Sequence, residues 1–291
     1  MTMTDTTDNP PSEGRPQARS AAGSGAITSP HNPRLREIRR LRRRRPRDRA
    51  GRFVAEGEDL LAAADAAGWP ALERYCVAGS GLPGTEVAPE ALRAVSALGS
   101  GTRALAVYEQ RWAAPAGPVC LALWGIADPG NVGTALRAAA AFGAASVALG
   151  PGCADPYGPK AVRASMGAIF AVPVARVAAP HELPGARIAL VAHAGEPLRE
   201  GVRSFLATQS SDTARKDLTP GGGRDSDTAR KDLTPVVGQG VTLVVGAERE
   251  GLSRAVVDAC DRVAHIPIAT DSLNAAMAAT IALYELRMAR S

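Results

Sequence analysis

The chain has 291 residues, 45% hydrophobic and 4% aromatic, with a formal net charge of +5. That length holds two ordinary domains, and the apolar share allows a sizeable core. Cys76, Cys120, Cys153 and Cys260 lie too far apart for a disulfide framework or a zinc spacing. No metal is expected, no run approaches the ~20 apolar residues of a membrane helix, and the polar start lacks a signal-peptide core. A cytoplasmic protein is therefore expected, with reduced thiols and no membrane partner.

Residues 1–31 are rich in Thr, Ser, Gly and Pro and read as a disordered tail. The segment Arg34 to Arg49 then holds ten arginines against Glu37 and Asp48, a local charge of +8, which leaves 5 − 8 = −3 for the rest. Guanidinium groups match phosphate oxygens and stay charged. Arg39, Arg40, Arg42, Arg43, Arg44 and Arg45 are accordingly candidate RNA contacts; a solvated basic arm is the other reading. Leu35, Ile38 and Leu41 recur every three residues among them, which predicts an amphipathic helix with the arginines outward.

Phe53 to Ala55 reads as a strand, Glu58 to Ala67 as a helix, and Pro89 to Leu98 as a helix between strands at 72–78 and 103–107. These elements make residues 32–112 a small α/β module, followed by a linker at 113–118.

The second domain, 119–291, opens on the apolar run Val119 to Trp124, the signature of a buried parallel strand. Similar runs follow at 145–149, 172–177, 187–192 and 241–245. Helices are expected from Gly133 to Phe142, within 161–170 and over 272–290. Cys120, Leu283, Leu286 and Met288 read as packing residues. The decapeptide Ser211 to Pro220 recurs unchanged as Ser226 to Pro235. Its charges and its scarcity of apolar residues mark 207–239 as a disordered surface insertion.

Three constellations carry chemistry. In Asp128-Pro129-Gly130-Asn131-Val132-Gly133…Arg137, a turn leads into a helix. Asn131 orients the loop there, and Arg137 can present two donors to a phosphate. In Pro159-Lys160-Ala161-Val162-Arg163-Ala164-Ser165-Met166-Gly167, Lys160 and Arg163 share a helix face. Ser165 and Gly167 allow close approach of a backbone or ligand, and nearby Tyr157 either stacks on a base or packs. The third joins Gly246-Ala247-Glu248-Arg249-Glu250-Gly251 to His265-Ile266-Pro267-Ile268 and Ser272-Leu273-Asn274. Ser272 or Asp271 is placed to cap the last helix. The apolar residues before Ser272 suit a loop that buries an adenine-like ring. No GxGxxG or GxxxxGK[ST] motif is present, which argues against nicotinamide chemistry and ATP hydrolysis. His265 has no identifiable catalytic partner and reads as structural.

Together these motifs resemble the SpoU (TrmH-like) family of RNA ribose 2′-O-methyltransferases of the SPOUT class. Phe53-Val54-Ala55-Glu56-Gly57 similarly resembles the opening of the family's small substrate-binding domain. The resemblance implies a parallel-sheet α/β domain with a trefoil knot, preceded by a ribosomal-protein-like α/β domain. It also implies S-adenosylmethionine as cofactor, an RNA substrate, ribosomal RNA foremost, and a homodimer. Carried over by motif, Asn131, Arg137, Ser272 and Asn274 are the catalytic candidates. Gly246, Ile266 and Leu273 would contact the cofactor, and Glu248 would support the site. Lys160 and Arg163 are further candidate RNA contacts. The spacer Ala269-Thr270-Asp271 departs from the family, where many relatives have five residues including a glycine. Transfer-RNA methylation and a non-catalytic RNA-binding role in ribosome assembly stay open as alternatives.

Overall fold

The computed structural model describes residues 25–98, 101–204 and 240–290. The duplicated 207–239 segment and residues 1–24 of the expected tail lie outside the described residues. Ile27, inside the stretch read as tail, is instead tied to the first module: its N–H donates to the Glu86 carbonyl at 2.9 Å, and its carbonyl accepts from Ala88 at 2.8 Å.

The first module is built on the predicted apolar stripe. In α1 (Pro33–Leu41), Leu35, Ile38 and Leu41 are buried, and Asn32 caps the start by accepting from the Arg34 N–H at 3.0 Å. The arginine run then breaks into a second helix, α2 (Arg44–Ala50). There follow β1 (Arg52–Glu56), α3 (Glu58–Ala66), β2 (Glu73–Val77), β3 (Thr85–Val87), α4 (Pro89–Val95) and β4 (Ala104–Glu109). The sheet order is β1-β4-β2-β3. Helix α4 stops three residues earlier than the sequence suggests because Ser96 adopts extended backbone.

The second module contains β5 (Val119–Leu123), α5 (Pro129–Phe142), β6 (Ser146–Leu149), α6 (Pro159–Ala164), α7 (Ala168–Ala171) and β7 (Val174–Arg176). It continues with β8 (Ala186–Leu190), β9 (Glu196–Pro197), β10 (Val241–Val245), α8 (Arg254–Asp258), β11 (Arg262–His265) and α9 (Ala275–Arg290). The strands form one parallel sheet, β7-β6-β5-β10-β8-β11-β9. Strands β5 and β10 have every residue buried, as a sheet covered on both faces requires. From β5 the chain winds outward to β7, then crosses to β8 on the far side of β10. Parallel sheets bind ligands beyond the carboxyl ends of their strands, where the winding reverses. That place is the end of β5, β10 and β8.

The two modules share a core. Phe53, Leu60, Ala64 and Tyr108 of the first belong to the same buried cluster as Tyr157, Val162 and Phe170 of the second. Ring centroids lie 4.8 Å apart for Phe53 and Tyr157, and 5.1 Å for Tyr108 and Phe170. Tyr157 therefore packs: it is 1% exposed and its hydroxyl donates to the Arg111 carbonyl. An apolar seam of this kind holds two domains in fixed relation. No helix among the described residues is long and apolar enough to cross a membrane.

Candidate active site

Helix α5 begins at Pro129, four residues before the Gly133 expected from sequence, because Asp128 caps it by accepting from the Gly130 N–H. This bond, followed by one from Lys160, holds the Asp128 carboxyl below the usual carboxylate range. Asn131 thus sits in the first helical turn. Two residues later Gly133 lies against α6, where a β-carbon would stand 2.4 Å from the Ala161 carbonyl oxygen. Only glycine allows that approach, which fixes the height of Asn131 over the sheet.

After β10 the chain turns sharply through Gly246 to Gly251. A β-carbon on Gly246 would meet the Gly251 carbonyl carbon at 2.4 Å. The fold-back delivers Glu248 to the start of α5. Its Oε1 accepts from the Asn131 side-chain amide at 2.7 Å, from the Asn274 amide, and from the Ala275 N–H at 3.3 Å. The Asn274 amide also donates to Asn131 Oδ1 at 3.1 Å. Three motifs far apart in sequence thereby meet in one polar triangle centred on Glu248.

Asn274, rather than Ser272 or Asp271, caps the last helix. Its Oδ1 accepts from the Ala276 and Met277 N–H groups at 3.0 and 3.2 Å. Ser272 is exposed and lies in the wall of a cavity of about 330 Å³. Gly246, Ile266 and Leu273 line the same cavity, as do Ile268, Leu252, Glu248, Glu250 and Asp271. Its volume falls within the ~300–1,000 Å³ of small-molecule sites. Apolar walls suit an aromatic ring, and the carboxylates suit a cationic ligand. Asn131, Arg137 and Asn274 are not part of the cavity wall; the two asparagines adjoin it through Glu248.

Arg137 is exposed and no described residue pairs with its guanidinium. It lies about 9 Å beyond Asn131 along α5 and about 120° around it, by helix geometry. Lys160 pairs with Asp128 at 3.1 Å, whereas Arg163 is exposed without a described partner. Ser165 is fully buried and donates to the Val162 carbonyl at 2.7 Å, and Gly167 lies against Ala63 of α3. The close approach expected there is made by the first module.

His265 shares a 3.2 Å hydrogen bond with the Gly195 carbonyl, consistent with a structural role. A histidine with no motif around it, His193, bonds the Asp271 carbonyl at 3.2 Å and ties the loop after β8 to the short spacer. Its backbone has φ +56°, a conformation no local residue type announces. In the arginine block, Arg39, Arg40, Arg42, Arg43, Arg44 and Arg45 are exposed. Arg47 turns inward instead and is 4% exposed.

Comparison with known proteins agrees with this arrangement. Residues 118–284 match the model of the SpoU rRNA Methylase family. The chain belongs to that family. Residues 32–110 match the MRM3-like substrate binding domain. A 23S rRNA (uridine(2479)-2′-O)-methyltransferase from Streptomyces viridochromogenes is 35% identical over 163 residues, 54% of this chain and 48% of that relative. The aligned part thus spans about half of the relative's length. An rRNA methyltransferase from Sinorhizobium meliloti superposes with a TM-score of 0.70 at 26% identity, over 91% of this chain and 97% of that one. The SpoU methyltransferase AviRb from Streptomyces viridochromogenes, in complex with AdoMet, gives 0.69 at 26% identity over 89% and 98%. The mixed α/β architecture and the large parallel sheet are those of the family. In this SpoU chain the family match contains Asn131, Arg137, Gly246, Glu248, Ile266, Ser272, Leu273 and Asn274.

Proposed function

We propose that this chain transfers a methyl group from S-adenosylmethionine to a ribose 2′-hydroxyl of ribosomal RNA. The observation that carries the reading is the Asn131–Glu248–Asn274 triangle beside a glycine-walled cavity at the carboxyl ends of β8, β10 and β11. The rRNA 2′-O-methyltransferase relative and the AdoMet-bound neighbour support it. The residues present fit the cofactor: the Gly246 turn leaves room for close backbone contact, Ile266 and Leu273 offer apolar surface, and Glu248, Glu250 and Asp271 complement a positive charge. When bound, S-adenosylmethionine supplies an electrophilic methyl group.

The chain's own residues supply position and charge. Asn131 and Asn274, held by Glu248, orient the target ribose, and Ser272 shapes the pocket wall. Aligning two reactants in one rigid site removes much of the barrier. Arg137 holds the phosphate beside that ribose and stabilises alkoxide character as the hydroxyl releases its proton to water. A guanidinium is a poor base at neutral pH, which favours this electrostatic role over proton removal. Arg39, Arg40, Arg42 to Arg45, Lys160 and Arg163 contact the RNA backbone, with residues 32–112 acting as the substrate-binding domain, joined through 113–118 to the methyltransferase domain 119–291.

A homodimer accompanies this reading. Met277, Tyr284 and Met288 are 55, 47 and 54% exposed and recur at helical spacing on α9. Met288, read as a packing residue, is thus available to pack against a second copy. A trefoil knot in the second domain and a cytoplasmic location complete the proposal. The test is incubation with methyl-labelled S-adenosylmethionine and ribosomal or transfer RNA, followed by nucleoside mapping. Label is expected as 2′-O-methylribose in ribosomal RNA. Label confined to transfer RNA overturns the substrate, and tight RNA binding without label overturns the activity.

A further inference from the structure

Between β1 and α6 the two modules leave a crevice of about 190 Å³. Its floor is apolar: Val54, Leu60 and Val162 are 5, 6 and 1% exposed. Leu98 forms a wall, and the exposed Lys160 and Arg163 also line it. Sites for whole cofactors run to ~300–1,000 Å³. The crevice equals about six waters at ~30 Å³ each, the scale of a single flat ring.

Among the described residues, Glu56 is the one acid lining the crevice. Its carboxylate accepts from Ser96 Oγ at 2.6 Å and from the Ala97 N–H at 2.8 and 3.0 Å, which fixes its direction. A carboxylate has about four acceptor positions and no donor. Room therefore remains for a ligand N–H, and a carbonyl in its place would be repelled. An apolar floor, an acceptor wall and two adjacent cations match the face, amino edge and phosphate of a nucleotide. The crevice also adjoins the catalytic helix, because Lys160 pairs with Asp128, the cap of α5 three residues before Asn131.

We propose that this crevice is a specificity site that receives an amino-bearing nucleobase of the RNA flanking the methylated nucleotide. The base donates to Glu56, and its phosphate meets Lys160 and Arg163. The proposal rests on the RNA methyltransferase reading above and adds to it a place where sequence is read.

The test titrates ¹⁵N-labelled full-length protein with CMP and UMP, which match in size and charge and differ at position 4, amino against carbonyl, and at N3, acceptor against N–H; the 4-position is the one taken to face Glu56. CMP is expected to shift the Ala97 and Leu98 amides and to bind about fivefold tighter than UMP, the factor one net hydrogen bond supplies. Glu56→Gln is expected to erase the preference. Leu98→Trp, which fills the crevice and leaves the carboxylate bonded, is expected to erase both shifts. Equal affinities for CMP and UMP, or shifts that survive Leu98→Trp, overturn the proposal. Methyl transfer to ribosomal RNA is measured on the same samples. Transfer without the CMP preference removes the crevice alone; the preference without transfer removes the methyltransferase reading alone.

Discussion

Arg47 closes on Asp155 across the seam between the two modules. Its Nε and Nη2 lie 3.0 and 2.6 Å from Asp155 Oδ2, and its Nη1 donates to the Leu41 and Arg42 carbonyls at 3.0 and 2.8 Å. Both side chains are about 95% buried, at 4 and 5% exposure. Removing one partner strands a buried charge, so Arg47→Met is expected to cost about 3–5 kcal/mol. The double change Arg47→Met with Asp155→Leu should recover only part of that, because it removes the partners of the Leu41 and Arg42 carbonyls and of the Tyr157 N–H. Urea unfolding of the single and double variants measures both, and a single-variant loss below about 1 kcal/mol contradicts the account.

Glu248 holds two amides and one backbone N–H at once. Glu248→Ala frees Asn131 and Asn274 to rotate, and misplacement on this scale costs about 10²-fold in rate. Single-turnover methylation should fall by that factor, and Glu248→Gln, which keeps one acceptor, should fall less. Equal rates in Glu248→Ala and the parent protein would show that the asparagines hold position unaided.

Arg137 has no described partner in the chain, so its replacement leaves nothing buried and unpaired. Arg137→Ala is expected to preserve S-adenosylmethionine affinity and stability while transfer drops by about 10²–10³, the cost of losing one charge-stabilising donor. Calorimetric titration and single-turnover kinetics separate the two effects. Near-normal transfer rules out the assigned role.

Neutralising Arg42, Arg43, Arg44 and Arg45 to Gln should weaken RNA binding and flatten its salt dependence. If each meets one phosphate, the log–log slope should shrink by about 3, at ~0.7–0.9 per contact. An unchanged slope identifies these exposed arginines as a solvated face.

Burial pushes the Tyr157 hydroxyl up to about 12 from its ordinary 10. A group raised in this way contributes stability that is complete below the unfolded value and is lost as pH rises toward the folded one. Stability should therefore decline between about pH 10 and 12. Trp112, whose ring lies 5.1 Å from Tyr157, gives a fluorescence signal for opening of the seam. Tyr157→Phe should lower neutral stability by about 1–2 kcal/mol through its lost hydrogen bonds and blunt the alkaline decline. An identical alkaline profile in the variant points to other groups.

Local patterns made much of this architecture readable. The three-residue recurrence of Leu35, Ile38 and Leu41 marked α1, and continuous apolar runs marked β5 and β10, because burial on one stripe or on both faces leaves a periodic trace. The Asn131, Glu248 and Asn274 motifs pointed to one site, although nothing local said that Glu248 is where they meet. That bond spans 117 residues to Asn131. Arg47 looked like its neighbours and faces the other way, because only the tertiary position of Asp155 distinguishes it. Met288 shows the converse: it reads as a packing residue, and the helix turns it outward. Helix α5 starts four residues before the position its sequence suggests, because a proline in the first turn and an aspartate cap read equally well as a turn. His193 left no trace, since its bond partner and its backbone are both set by distant loops.

The hydrogen bond between Asn131 and Asn274 joins residues 143 positions apart. A ribosome adding about 5–20 residues per second needs roughly 7–29 s to make that stretch. For that interval the nascent chain carries Asn131 without Asn274, and for the first 117 residues of it without Glu248 either. Neither the triangle nor its neighbouring cavity is complete until Asn274 and the start of α9 have emerged, so the methyl transfer proposed above requires the chain to be made at least that far.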